Sequence, residues 1–148
     1  MDENRKTYLS FQISQDTFAV DALKVDHIME VPSVITKIPN TQEYMMGIVN
    51  LHGNIIPVVD MRIIMKVDSS LDGEDVSIIV INPDDDQETR LGIIVDAVKE
   101  VHEVEKEDLK ETILAGVQSA INSFEGTYSK EDEFIHVIDI KSFIETIE

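Results

Sequence analysis

The chain has no cysteine and no tryptophan, few other aromatics, and twelve bases against thirty acids. Each shortage excludes something. Without cysteine there is no disulfide framework and no thiolate chemistry. No apolar run approaches the roughly 20 residues of a membrane span. The opening stretch, "MDENRKTYLSF", lacks the apolar core of a secretory signal, so the expected location is the cytoplasm. A net charge of −18 repels phosphate backbones and anionic lipid surfaces, which argues against nucleic acid and against direct membrane insertion. Proteins or cations remain as partners.

With aromatics scarce, isoleucine and valine must carry the core, and their β-branching favours strands. At 148 residues the chain can hold one domain or two small packed barrels. In "TYLSFQISQDTFAVD", Tyr8, Ser10 and Gln12 alternate with Leu9, Phe11 and Ile13, and Gln15-Asp16 is expected to turn the chain into Thr17–Val20. "ALKVDHIMEV" reads as a helical turn or irregular strand with Leu23, Val25 and Ile28 inward. "VITKIPN" reads as a strand, and Thr41 as the cap of a single turn. "GIVNLHGNIIPVVDMR" reads as a hairpin folded over Gly53-Asn54, with Pro57 placing its second arm at a sheet edge or bulge.

The polar stretch "VDSSLDGED" is the best boundary in the chain. It suggests sub-barrels of about 7–67 and 68–148 within a single domain, with terminal elements free to cross between them. Beyond it, "VSIIVIN" reads as a fully buried strand. "TRLGIIVDAVKEVHEV" continues as strand and changes face around Asp96. A last hairpin turns around Ser129–Asp132, and "KSFIETIE" closes as an amphipathic turn or two. Roughly ten short strands at irregular spacing argue for small β barrels rather than βαβ units.

Catalytic signatures are missing: there is no G-x-S-x-G and no phosphate-cradling G-x-x-x-x-G-K. The four histidines, His27, His52, His102 and His136, lack metal-ligand spacing, so neither a metal nor a cofactor is expected. Asp60 and Asp96 each end an apolar strand, where aspartate usually bonds nearby backbone. The sharpest alternative is "SIIVINPDDD", in which Asp84, Asp85 and Asp86 follow a buried strand as in a phospho-receiver switch. That fold also needs a parallel α/β sheet, and the helical pattern for one is absent.

The stretches "YLSFQISQDTFAVDALKVDHI", "ITKIPNTQEYMMGIVNLHGNIIPVVDMR", "GIIVDAVKEVHEV" and "FIHVIDIKSFIE" resemble, in order, the CheW-like family of chemotaxis coupling proteins. The G-x-x-N-L-x-G-x-x-x-P-V-x-D-x-R pattern is specific, and G-I-x-V-D-x-V-x-E-V supports it. The resemblance covers nearly the whole chain. It implies an all-β fold of two small five-stranded barrels, SH3-like or OB-like, packed on a shared apolar core with short helical segments. It also implies a non-enzymatic adaptor joining chemoreceptor tips to a CheA-type histidine kinase, recruited to receptor arrays at the membrane. The same fold could instead serve surface motility.

By this resemblance the receptor would meet Val25, His27, Gly47, Asn50, His52, Gly53 and Val101. The kinase would meet the first barrel near Phe18, Ala22 and Leu23. Two positions depart from the family pattern: an acid usually stands where His27 is, and an arginine where His52 is. If the family geometry holds, the two imidazoles face each other in place of that salt bridge.

Overall fold

The computed structural model describes residues 4–31, 35–36, 43–65, 76–83, 90–111 and 124–147. β1 (Arg5–Ile13) and β2 (Asp16–Asp21) form a hairpin, and a 3-10 turn at Ala22–Lys24 leads into β3 (Val25–Glu30). β4 (Met45–Leu51) and β5 (Asn54–Asp60) form a second hairpin, closed by the short helix α1 (Met61–Ile64). β6 (Ser77–Ile81), β7 (Leu91–Val95) and β8 (Ala97–Glu105) follow, and a 3-10 turn at Lys106–Asp108 comes next. β9 (Phe124–Lys130), β10 (Glu133–Ile138) and α2 (Ile140–Ile147) complete the chain. The strands make two five-stranded sheets, a first with order β8-β1-β2-β10-β9 and a second with order β3-β6-β7-β5-β4. The all-β expectation holds.

The sheets do not divide the chain at 67/68. β1 and β2 lie in the middle of the first sheet, between β8 and β10, while β6 and β7 complete the second. The polar segment is a local signal, whereas sheet membership is set by long-range pairing of β1 with β8 and of β2 with β10. The described chain crosses between sheets at Ala22–Lys24 and at Asp96, where the expected change of face is a change of sheet.

Three apolar layers result from period-2 alternation. Tyr8, Ala19, Val104, Tyr128, Ile135 and Val137 fill the first sheet's interior. Val49, Ile56, Val58, Ile78, Val80 and Ile94 fill that of the second. Between them, Leu9, Phe11 and Ile13 of β1 pack with Val59, Ile79 and Ile93, and with Met61 of α1 and Phe143 of α2. This middle layer is the shared core.

Several local expectations shift by a residue or a face. The first hairpin turns at Ser14-Gln15, since Ile13 pairs with Asp16. The second turns at His52-Gly53, since Leu51 pairs with Asn54. Both turn residues have positive φ, 53° and 86°, as a two-residue type I′ connection requires. Asn50 sets this register, its Oδ1 accepting the Gly53 N–H at 2.9 Å.

Pro57 is in neither an edge strand nor the bulge, because β5 lies between β7 and β4. Counting from the closing Leu51–Asn54 pair, Ile48–Pro57 is a non-hydrogen-bonded pair, so the missing N–H leaves no gap toward β4. On the other side, the recorded pairing with β7 starts only at Val58. Ile48 accordingly turns its N–H and C=O outward to Thr36, at 2.8 and 3.1 Å.

Leu23 and Ile28 are not inward: they are 84% and 47% exposed, and only Val25 packs on the shared core. The Leu23 N–H is held by Asp21 Oδ1 at 3.0 Å, and a bulge between Val25 and His27 disturbs the alternation of β3. The Thr41 cap and most of "VITKIPN" lie outside the described residues. Among the described residues, no helix is long and apolar enough to cross a membrane.

Candidate functional site

A buried ionic clamp joins the two sheets of the scaffold that carries the site. Asp60 ends β5 and caps α1, its Oδ1 accepting the Arg62 N–H at 2.9 Å. The Arg62 side chain, 0% exposed, returns a two-pronged contact: Nε donates to Oδ1 and Nη2 to Oδ2 of Asp60, both at 2.9 Å. Its Nη1 reaches Asp96 Oδ1 at 3.2 Å, and Asp96 Oδ2 accepts the Ser14 N–H at 2.5 Å. Burial works against the guanidinium charge, but hydrogen bonds and charge from Asp60 and then Asp96 hold its pKa above the ordinary value. The clamp thus ties the ends of β5 and β7 in the second sheet to the β1–β2 turn in the first.

Sequence reasoning missed Arg62. Asp60 does bond nearby backbone as expected, yet the larger part of its environment is the arginine two residues on. The D-x-R spacing at a strand end, with a second strand-ending aspartate downstream, was the available signal.

At the opposite end of β5 from the clamp, the β4–β5 turn presents an exposed rim. Asn50, His52 and Gly53 are exposed on it, and Ile55, across from Asn50, is 69% exposed. His27 from β3 meets His52, with ring centroids 5.6 Å apart and planes at 63°. Asp26 Oδ2 lies 3.9 Å from His27 Nδ1 and 3.4 Å from Arg90 Nε. The structure therefore brings together His27, Asn50, His52 and Gly53, with Val25 two residues before His27.

Gly47 is buried at the other end of β4. At φ 142°, any Cβ there would run into the Thr36 carbonyl, so its role is close backbone approach and not surface contact. Val101, 59% exposed, stands apart on β8 of the first sheet.

Phe18 does not reach the surface. It is 3% exposed in the shared core, against Phe11 and Phe124 (centroids 6.4 Å each) and His136 (5.8 Å). Its place in an alternating strand gives it an inward face, which resemblance alone did not reveal. Ala22 and exposed Leu23 lie on the 3-10 turn joining the two sheets, not within one barrel.

A second polar cluster lies inside the first sheet. His102 Nδ1 is 2.8 Å from Tyr128 Oη and its Nε2 is 3.2 Å from Glu100 Oε2, while Tyr8 stacks on Tyr128. Burial, then nearby acids, pushes the Tyr8 phenol up to about 12. Burial and the neighbouring Tyr8 raise that of Tyr128 further. Both phenols stay protonated, so the cluster acts as buried hydrogen-bonding structure. Among the described residues no group of three acids or histidines is placed to hold a metal ion.

A CheW-like domain description matches residues 7–148. The chain belongs to the CheW-like family. It is 26% identical over 141 residues to "Chemotaxis protein CheW" of Klebsiella aerogenes, spanning 95% of this chain and 82% of that protein. It is 30% identical over 142 residues to the protein of that name from Thermotoga maritima, spanning 94% and 87%. The scaffolding protein TtCheW from Thermoanaerobacter tengcongensis has the same fold, with a TM-score of 0.77 and 28% identity over 91% of this chain and 84% of that one.

CheW-like topology also bears on the receiver alternative. The acids Asp84–Asp86 lie outside the described residues, but the strand before them, β6, is antiparallel to both β3 and β7. A receiver needs a parallel sheet at that point, so this alternative is set aside.

Proposed function

We propose that this CheW-like chain is a non-enzymatic adaptor that couples chemoreceptor tips to a CheA-type histidine kinase, working in the cytoplasm at receptor arrays. The observation that carries the proposal is the rim: a turn rigidly held by Asn50, flanked by exposed apolar and imidazole groups, on a clamped scaffold. Val25, His27, Asn50, His52 and Val101 are assigned to the receptor, with Gly47 and Gly53 shaping the backbone beneath them. Ala22 and Leu23 are assigned to the kinase, and Phe18, buried in the core, is left out of that contact. Exposed Leu23 beside a solvated cap is the kind of apolar projection that a partner's groove takes up.

Binding of a receptor-tip fragment and of a kinase regulatory domain would be measured separately. Leu23→Asp is expected to weaken kinase binding alone, and His52→Glu to weaken receptor binding alone. Wild-type binding to both partners in both folded variants would overturn these assignments.

A further inference from the structure

Arg62 shows how this chain satisfies a buried arginine: Nε and Nη2 donate to Asp60 at 2.9 Å, and Nη1 to Asp96 at 3.2 Å. Arg90, directly before β7, is held differently. Its side chain is 15% exposed, yet no hydrogen bond to its guanidinium is made among the described residues. The Nε is shut off from solvent and unbonded, and Asp26 Oδ2 faces it at 3.4 Å as an ion pair without hydrogen-bond geometry. A buried donor left without an acceptor is costly, and in a folded protein it calls for a reason. We propose that Arg90 is a specificity-determining residue of the receptor contact, its guanidinium completed by a carboxylate side chain of the receptor tip. This inference rests on the receptor reading above.

Arg90 lies within reach of the rim. Asp26 occupies the irregularity of β3 between Val25 and His27, where it has no ladder partner, and its Oδ2 is 3.9 Å from His27 Nδ1. His27 in turn meets the His52 ring. Val25 and Leu91 both pair with Ile81, so Asp26 and Arg90 approach each other across the end of β6. A guanidinium carries five N–H donors in a planar fork that takes carboxylates two-pronged. Asp26 approaches at Nε, which leaves the Nη edge for a second carboxylate. A phosphate or an anionic lipid surface would bring more negative charge against Asp26 and against a chain of net charge −18, so a single carboxylate is the better match. Asp26 and the incoming carboxylate repel while sharing one cation, so Asp26 should hold the affinity down.

The test is the affinity of a receptor-tip fragment for the wild type, Arg90→Gln, Arg90→Lys and Asp26→Asn, with urea midpoints read alongside. Arg90→Gln is expected to weaken binding by about 5- to 50-fold, and Arg90→Lys, a point charge without the fork, to recover part of that. Asp26→Asn should tighten binding by about 2- to 10-fold. Added salt should narrow the gap between wild type and Arg90→Gln. Weaker binding in Arg90→Gln without tightening in Asp26→Asn would make Arg90 a prop for the rim and overturn the proposal. So would unchanged affinity in Arg90→Gln while His52→Glu loses binding, a result that leaves the receptor reading standing. If Arg90→Gln does not fold, Arg90→Lys and Asp26→Asn carry the comparison. A fragment that does not bind the wild type removes the reading and this inference together.

Discussion

Arg62 is the residue on which most depends. Removing its side chain would leave the Asp60 carboxylate buried and unpaired, at a cost of about 3–5 kcal/mol. Arg62→Ala should therefore lower the urea midpoint sharply, and Arg62→Lys, which keeps the charge without the fork, should lower it less. Among the glycines, space and strain separate two cases. Gly53 (φ 86°) has open space around it, so Gly53→Val should cost ~1 kcal/mol or more from backbone strain alone. Gly47→Ala adds a collision with the Thr36 backbone and should cost more. Unchanged melting in both variants would contradict the turn and bulge as drawn.

His136 gives a pH dependence. Burial lowers its pKa below the ordinary imidazole value of 6.5, partly opposed by Asp16. The unfolded chain then takes up the proton at higher pH than the folded one. The stability that His136 contributes while neutral is thus complete above about pH 6.5 and is lost as pH falls through the folded-state value. His136→Gln should flatten that acid-side decline, read as urea midpoints between pH 7.5 and 5. An identical slope in the variant would assign the pH dependence to other groups.

At the scale of elements, what was legible in the sequence was what depends on neighbours along the chain. The alternation of β1, the apolar run of β6, the change at Asp96 and the closing helix all follow from local pattern, and all are present. Register and strand order do not, because they depend on partners far away. The β4–β5 turn falls one residue early because the Asn50 side chain selects it, and Pro57 fits an inner strand because the hydrogen-bond phase leaves its nitrogen idle. That phase predicts that Pro57→Val changes stability by no more than about 0.5 kcal/mol. A loss of several times that, seen in thermal melts, would mean the ring itself is needed there. For the site, the glycines and the rim were readable from their motif. Arg62 was not, since arginine is seldom buried and its partner Asp96 lies far along the chain, and Phe18 was given to the surface by resemblance although its strand alternation turns it inward.

At the scale of the molecule, the interleaving of the sheets has a direct consequence. A chain cut at 67/68 separates β1 and β2 from the three strands they pair among, and β6 and β7 from β5. Each fragment alone should remain unfolded by circular dichroism, and the two together should recover the β spectrum. Independent folding of 68–148 would contradict the topology. The same interleaving sets Leu23, on a crossover, and the rim of the second sheet on one clamped body, which suits a protein that holds two partners at once. The most direct measurement of that claim is kinase autophosphorylation with receptor-containing vesicles, with and without this protein. The adaptor account predicts that receptors control the kinase only when the protein is present, and that Leu23→Asp and His52→Glu each abolish the control. Receptor control that is equal in its absence, or no binding to either partner, would contradict it.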